Sequence, residues 1–394
     1  MADRNENRLL MEPLILPDGA SKIELMDLVL ELTQKSAQFK SALPLAIQRS
    51  LATTVRAMNC YYSNLIEGHN THPIAIEQAL NGHYDADIKK RNLQLEARAH
   101  IEVQEWIDHG GLQESIFSSK TICEIHKNFC EKLPDELLWV EDPFTKKKIK
   151  VVPGEIRKND VQVGRHIPIG PHSIARFLDR YEQVYSSLGK SESILALAAA
   201  HHRFLWIHPF LDGNGRVARF ISYATLLEKL NTGGLWSIAR GLARNHEIYK
   251  QHLVNCDLTR RNDLDGRGNL SQESLIAFTK FFLETCIDQV AFMEKIMRPD
   301  QLRTRILLWA KEEIEMKKIP PQTIPLLEKI LYRGEVTRKE IPEMLNITER
   351  HARRLTSNLI EMGVLSSESS KSSITLAFPA KFANRWMPGL FPED

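Results

Sequence analysis

Apolar residues recur at alternating intervals of three and four along most of the chain up to residue 294, and this spacing constrains the fold most strongly. Between Pro44 and Leu65 the apolar positions lie on one face of a helix, and Pro44 suits its first turn. The stretch Ile194–Ile207 is apolar nearly all round, which is typical of a helix buried inside a bundle. We therefore predict a mainly α protein. Similar patterns occur over 93–106, 121–133 and 174–188.

The composition is that of an ordinary globular protein of 394 residues with two or three domains. Lys and Arg number 52 and Asp and Glu number 50, so the net charge of +2 excludes nucleic-acid binding by bulk charge alone. The five cysteines form no CxxC pair, and no apolar run approaches the ~20 residues of a membrane span. These features predict a cytoplasmic protein with reduced thiols and no membrane partner.

One segment interrupts the helical pattern. Residues 148–169 alternate in polarity and contain several turn-forming residues, which predicts a β-hairpin or an extended flap.

The composition changes again after residue 294, where 297–300 forms a plausible linker to a separate domain. There, 337–340 reads as a capping box that opens a short helix, and Thr348 caps a second helix. Two short apolar segments around a serine-rich tip then predict a two-stranded wing, at 364–365 and 374–376. This order resembles a winged helix-turn-helix domain over 300–394.

The most informative segment, 208–219, follows the buried helix and precedes another apolar helical run. Its small residues at 213–215 let backbone N–H groups at a helix N-terminus approach an anion. Arg216 and Arg219 lie three residues apart and can reach the same phosphates. Asp212 can hold a hard cation such as Mg²⁺, and His208 can take a proton from a hydroxyl. This combination predicts transfer of a phosphate-containing group.

The same segment matches the Fic-family motif HxFx[D/E]GNGRxxR at every fixed position, and the chain resembles Fic proteins over roughly 40–290. Such proteins usually transfer AMP from ATP to a hydroxyl side chain of a protein. The resemblance implies that His208 is the base, Asp212 the Mg²⁺ ligand and Arg219 the γ-phosphate anchor. Phosphorylation is disfavoured, because the related Doc kinases carry a lysine inside the loop. The anion-binding loop is assigned to Gly213, Asn214, Gly215 and Arg216.

Two further stretches carry the resemblance with less specificity. Residues 153–157 and 161–164 resemble the family flap, which covers the nucleotide and pairs with the target main chain, so that Val163 and Gly164 contact the bound molecules. Tyr249 matches the position of an adenine-contacting aromatic residue, although Lys250 stands where many relatives have a second aromatic residue. A core tyrosine remains the alternative for Tyr249.

An inhibitory motif, [S/T]xxxE[G/N], is matched at the end of the Pro44–Leu65 helix by Ser63, Glu67 and Gly68. Ser63 and Glu67 are four residues apart and share a helix face. The resemblance implies that Glu67 pairs with Arg219 and blocks productive ATP binding. The predicted domains are 1–110 with the inhibitory helix at about 44–68, a Fic core at 111–296, and the winged-helix domain at 300–394.

The predicted function is thus a self-inhibited, Mg²⁺-dependent protein adenylyltransferase that modifies Ser, Thr or Tyr of a target protein or of itself. Two alternatives stay open: removal of AMP at the same site, and a DNA-binding regulator with a Fic-like sensor domain. The second winged-domain helix is basic, so DNA binding through 337–362 and a homodimer are open predictions. Ligand spacing for zinc is absent from the sequence.

Overall fold

A computed structural model describes residues 6–142 and 145–392, which form two compact units. The first unit comprises the described residues up to Ser36 together with Asn59–Thr232 and Ser237–Gln289. The second comprises Ala37–Met58, Gly233–Trp236 and the described residues from Val290 onward. The outermost residues of the predicted domains, at 1–5 and 393–394, lie outside the described residues.

The prediction of a mainly α protein is confirmed. The helices up to the functional loop are α1 (Ala20–Ser41), α2 (Leu45–Ile66), α3 (Pro73–Leu80), α4 (Ile88–Asp108), α5 (Ser119–Cys130), α6 (Ile174–Tyr185), α7 (Lys190–Leu195) and α8 (Leu197–Ile207). Those after it are α9 (Asn214–Leu230), α10 (Ala239–Arg244), α11 (His246–Cys256), α12 (Gln272–Ile296), α13 (Pro299–Glu315), α14 (Thr323–Arg333), α15 (Ile341–Leu345), α16 (Glu349–Glu361) and α17 (Ala383–Trp386). The strands are β1 (Trp139–Glu141), β2 (Lys148–Lys150), β3 (Glu335–Val336), β4 (Leu365–Ser366) and β5 (Ile374–Leu376).

In the first unit, α9 lies at the centre of the packing. Helices α4, α5 and α8 all pack against α9, and α6 packs against α8. The predicted apolar helix 194–207 is present as α7 and α8, with every residue of α8 except Leu205 buried. The loop that joins α8 to α9 is therefore held between buried helices at both of its ends.

The prediction for 148–169 left a β-hairpin and an extended flap open, and the extended flap is the form present over 151–169, while 148–150 pairs with an earlier strand. The antiparallel pair is β1 with β2, in the register Trp139↔Lys150, whereas 151–169 is an extended flap with one isolated bridge between Val163 and His166. The reason is the buried guanidinium of Arg157, which donates to the carbonyls of Asn159, Ile169 and His208. These side-chain bonds satisfy backbone acceptors that a hairpin would pair across strands.

The second unit contains the predicted helix–turn–helix elements. Thr348 caps α16 as predicted, because its hydroxyl accepts from the His351 N–H at 3.3 Å. Strand β5 lies between β3 and β4 in an antiparallel sheet, and β4 and β5, paired in the register Leu365↔Leu376, lie close to the places of the two predicted strands. Strand β3 was not predicted. Across both described stretches of the chain, no helix is long and apolar enough to cross a bilayer.

Candidate functional site

The loop between α8 and α9 closes on itself through one side chain. The Asn214 amide accepts from the Phe210 N–H at 3.0 Å and donates to the Phe210 carbonyl at 2.9 Å. Gly213 precedes α9 with a φ of 78°, a left-handed conformation that favours glycine. The side chain of Asn214 therefore holds the loop closed, and the assignment of this residue to the anion-binding loop stays a prediction. The free N–H groups at the start of α9 are thereby held in place.

His208 ends α8 in a left-handed conformation, with a φ of 51°. Its Nδ1 lies 3.2 Å from the Leu205 carbonyl and donates to it, which leaves Nε2 as the acceptor of the neutral ring. Burial lowers the pKa of His208 to about 4, so the ring is neutral at physiological pH. A neutral imidazole with a free Nε2 lone pair is the form that a general base needs.

Asp212 stands at the mouth of a cavity that Gly213 and Arg216 also line. Although the residue is exposed to solvent, the surrounding protein partly desolvates its carboxyl group and raises its pKa above the ordinary value. Its Oδ1 accepts from the Gly213 N–H at 2.7 Å. No cluster of three or more His, Cys, Asp or Glu side chains suited to a metal ion occurs among residues 6–142 and 145–392. A single carboxylate beside an anion site suits Mg²⁺, which takes its remaining ligands from phosphates and water.

Glu67 and Arg219, about 150 residues apart in sequence, meet in the first unit. The Glu67 Oε1 accepts from the Arg219 Nη2 at 2.5 Å, and the Ser63 hydroxyl accepts from Arg219 Nε at 2.8 Å. The Arg219 side chain is 3% exposed and that of Glu67 is 31% exposed. Although burial acts to raise the pKa of Glu67, the charges of Arg219 and Arg216 outweigh it and hold the pKa below its usual range. The carboxylate is therefore ionised and paired.

The same carboxylate also fills the space over the first turn of α9. A Cβ placed on Gly215 would lie 2.4 Å from Glu67 Oε1 and 3.2 Å from Arg219 Nη1. Gly215 is thus the point where backbone, arginine and carboxylate converge. The Glu67 carboxylate thus lies at the N-terminus of α9, a kind of position that favours negative charge.

Arg216 has its own buried carboxylate partner, which the sequence did not reveal. Its Nη2 donates to Oε1 of Glu96, a residue of α4, and the other oxygen of Glu96 accepts from Nδ1 of His69 at 2.7 Å. The Arg216 guanidinium lies 5.3 Å from the centre of the Phe129 ring. Glu96 sits within an ordinary amphipathic pattern, so no local signal distinguished it from a solvated residue.

Two more residues tie the flap to the loop. The buried Arg157 donates to the His208 carbonyl at 2.7 Å, and its own N–H donates to the Pro209 carbonyl. His126 accepts from the Gly154 N–H at 2.9 Å and donates to the Asp212 carbonyl at 3.2 Å. Burial lowers the pKa of His126 to about 4, which keeps both bonds in the neutral form.

The remaining predicted residues lie at or near this site. Tyr249 is 2% exposed and its hydroxyl lies 2.7 Å from His201 Nε2, which agrees with the alternative of a core tyrosine. Val163 is 43% exposed next to Gly164, whose φ is 59°. Gly68 has a φ of 84° just after α2, where it ends the helix beyond Glu67.

Comparison with known proteins identifies the segment that carries this loop. Residues 116–226 match the Fic/DOC family model. This segment, which includes His208, Asp212 and both arginines, is thus similar to the domain that the Fic/DOC family shares. The inhibitory motif at 63–68 and the second unit lie outside the matched residues.

Curated relatives of the matched region are named protein adenylyltransferase Fic. The one from Drosophila melanogaster is 29% identical over 169 residues, which is 42% of this chain and 31% of the relative. The chain therefore matches about a third of the length of such relatives.

Solved structures show the fold likeness. A Fic family protein from Desulfovibrio desulfuricans G20 superposes with a TM-score of 0.54 at 14% identity, covering 92% of this chain and 97% of that one. Fic-1 (residues 134–508) from C. elegans gives a TM-score of 0.51 at 16% identity, with 70% of this chain and 74% of that chain covered. The predicted Fic-type helical fold is confirmed.

Proposed function

We propose that this chain is a self-inhibited protein adenylyltransferase, which transfers AMP from ATP to a hydroxyl side chain of a target protein or of itself. The match to the Fic model and the names of the curated relatives support a transferase. The observation that carries the self-inhibition is the Glu67 carboxylate, 2.5 Å from Arg219 and over Gly215.

In this proposal the start of α9 binds the phosphates. Its N–H groups and helix dipole attract the anion, while Arg216 and Arg219 contact the phosphate oxygens. His208 Nε2 takes the proton of the target hydroxyl as that oxygen forms a bond to the α-phosphorus, and the bond to pyrophosphate breaks. Asp212 would hold Mg²⁺, which when bound would neutralise phosphate charge.

Glu67 suppresses this reaction because it competes with the γ-phosphate for Arg219. A charge-assisted hydrogen bond to a partly desolvated arginine contributes about 1.5–3 kcal/mol, which corresponds to roughly ten- to a hundredfold weaker productive ATP binding. The Ser63 hydroxyl accepts from the same guanidinium and holds it toward Glu67.

The deciding experiment is Glu67→Gly with labelled ATP and Mg²⁺, alone and with cell lysate. We expect self-modification or lysate labelling to rise by about one to two orders of magnitude because Arg219 becomes available. Adding Arg219→Ala should erase this gain. The matched control is Glu247→Gly, which removes a 90% exposed carboxylate of α11 and should leave labelling unchanged. Unchanged labelling in Glu67→Gly would contradict the self-inhibition.

Removal of AMP is the alternative that uses the same residues, with Glu67 orienting a water molecule. The same variant separates the two activities, because Glu67→Gly would then lose hydrolysis of an AMP-modified protein instead of gaining labelling.

The assignment of Asp212 to Mg²⁺ has a test of its own. In the Glu67→Gly variant, the additional change Asp212→Ala should reduce labelling almost to the level seen without enzyme. It should also weaken the Mg²⁺ dependence of ATP binding, measured by calorimetry. An Asp212→Ala protein that keeps both activity and Mg²⁺ dependence would require another ligand.

The flap residues would receive the target. Val163 is exposed, and main-chain pairing next to Gly164 would place a target hydroxyl close to His208. Tyr249 would reach adenine only indirectly, since His201 and the surrounding core enclose its hydroxyl and ring.

The second unit supports DNA binding as a second candidate function. Arg350, Arg353 and Arg354 are exposed on α16, and of these Arg353 contacts only Glu349, at 3.4 Å, within the described chain. Helix α16 occupies the place of a recognition helix, and a homodimer would double its contacts with a duplex. The logarithm of the binding constant for a DNA duplex falls linearly with the logarithm of the salt concentration. Replacing Arg353 and Arg354 by Ala should reduce the magnitude of this slope by about one per lost phosphate contact. A slope that does not change would contradict this role.

A further inference from the structure

The phosphate site contains a buried carboxylate that the transfer reaction described above does not use. The side chain of Glu96 is 3% exposed and that of its partner Arg216 is 6% exposed. A buried carboxylate costs free energy unless its oxygens are satisfied, and both oxygens of Glu96 are, by Arg216 and by His69. The fold therefore maintains this charge at the very arginine that would contact phosphate.

Glu96 cannot act as a removable block in the way that Glu67 does. It lies within α4, whose ends are at Ile88 and Asp108, and its two oxygens are held by separate partners. Glu67 follows the last residue of α2 and has one side open to solvent. Withdrawing Glu96 would mean moving a helix that packs against α9.

The surroundings of Arg216 indicate the role of its ion pair with Glu96. Within the described chain, Arg216 Nε is buried and has no hydrogen-bond partner. Arg216 lines the cavity together with Asp212 and Gly213. Glu96 holds one nitrogen of the guanidinium, and Phe129 lies against it at 5.3 Å, so its orientation is fixed while a donor stays unused. Because Nε itself is buried, a phosphate in the cavity would bind the part of Arg216 that lines it, with the guanidinium already held in place.

His69 adjusts the charge of the arrangement. Its hydrogen bond to Glu96 raises the pKa of His69 above the ordinary value, which favours the imidazolium form. A positive His69 offsets the negative charge of Glu96, so that Arg216 keeps its attraction for an anion. His69 follows Glu67 by two residues, which means that one short segment carries both the partner of Arg219 and the histidine that contacts Glu96.

We infer that Glu96 is a positioning residue that fixes Arg216 for phosphate binding and that His69 balances its charge. This inference rests on the proposed function for its substrate, ATP, but the orientation of Arg216 can be tested without any reaction.

The experiment compares Glu96→Ala and Glu96→Gln in the Glu67→Gly background, with Glu102→Gln as the matched control. Glu102 is a partly exposed carboxylate of the same helix that pairs with Arg98 and Lys132. NMR of the arginine Nε–H groups, with the Arg216 signal assigned from Arg216→Lys, reports rotation of the guanidinium. Steady-state kinetics with ATP and Mg²⁺ give kcat and KM.

We expect Glu96→Ala to speed guanidinium rotation and to lower kcat/KM for ATP by about ten- to a hundredfold, since small displacements of a binding group have effects of this size. Glu96→Gln keeps an acceptor oxygen and should restore slow rotation and most of kcat/KM. Should Glu96→Ala fail to fold, Glu96→Gln and His69→Ala decide, and His69→Ala should raise KM for ATP while rotation stays slow.

Three results would overturn the inference. Faster AMP transfer in Glu96→Ala would make Glu96 a second inhibitor. Unchanged rotation and kinetics would make the pair merely structural. A fall in kcat/KM of the same size in Glu102→Gln would assign the effect to α4 as a whole. If the Glu67→Gly parent transfers no AMP, the proposed function fails, while the NMR result still decides whether Glu96 orients Arg216.

Discussion

The two arginines in the first two turns of α9 hold the same kind of partner in two different ways. Arg219 pairs with Glu67, a carboxylate at the end of a helix with about a third of its side chain exposed. Arg216 pairs with Glu96, a carboxylate inside a helix with almost none of its side chain exposed. One partner can leave by a local movement, and the other can leave only if packed helices separate.

Under the proposed function, ion pairs with similar contacts would have opposite consequences for one substrate. A carboxylate that can be displaced would compete with phosphate beside Gly215, where Glu67 Oε1 lies. A carboxylate that cannot be displaced would instead orient its arginine for phosphate. Exposure and position in the helix, and not the contact distance, separate the two roles.

The largest expected effect tests whether His208 is the base for the AMP transfer that the loss of Glu67 is expected to release. In the Glu67→Gly background, His208→Ala should lower AMP transfer by about 10²–10⁴-fold, because no group would remain to accept the hydroxyl proton. ATP binding, measured by calorimetry, should stay nearly intact since both arginines are present. Transfer at the parental rate in the double variant would remove His208 from the mechanism.

The second prediction compares the two carboxylates by stability. Glu96→Ala should lower the free energy of unfolding by about 3–5 kcal/mol, because it leaves Arg216 buried without its counter-charge. Glu67→Ala should lower it by about 1–2 kcal/mol, since Ser63 still accepts from Arg219 and solvent is near.

Urea unfolding at neutral pH measures both values, with Glu102→Ala as a control on the same helix as Glu96. Equal losses for Glu67→Ala and Glu96→Ala would break the distinction between a displaceable and a fixed partner.

The smallest expected effect concerns pH. Because burial lowers the pKa of His208 to about 4, its neutral form persists as the pH falls through the range in which an ordinary histidine gains its proton. The kcat of Glu67→Gly should change by less than about twofold between pH 8 and 5.5, whereas a histidine with a pKa near 6.5 would lose about tenfold. A tenfold fall centred near pH 6.5 would mean that the ring titrates as if it were exposed.

Much of the secondary structure could be predicted because its signals are local. The three- and four-residue apolar spacing is visible at α2, and the cap at α16 is a single residue with a defined bond. The predicted meeting of Glu67 with Arg219 is present at 2.5 Å, although it joins distant segments. In that case two short motifs, one at each partner, supplied the long-range information.

The remaining contacts could not be predicted because only one residue of each contacting pair belongs to a recognisable sequence motif. Glu96 belongs to no motif, so its contact with Arg216 appears only when α4 packs against α9. The form of the flap stayed open for a similar reason: alternating polarity allowed a hairpin or an extended segment, and the bonds from Arg157 to the backbone carbonyls appear only in three dimensions. Strand β3, with two residues, is too short to give a periodic signal.

The missing side chain at position 215 has a consequence for how this site could change. The Glu67 carboxylate requires that no more than a hydrogen atom project there, and under the proposed function an incoming anion that displaces this carboxylate would require the same. Losing the carboxylate would not relax this requirement, and losing the anion would not relax it either. The position is therefore constrained in both the closed and the open form, so a single methyl group would disturb the resting and the working protein alike.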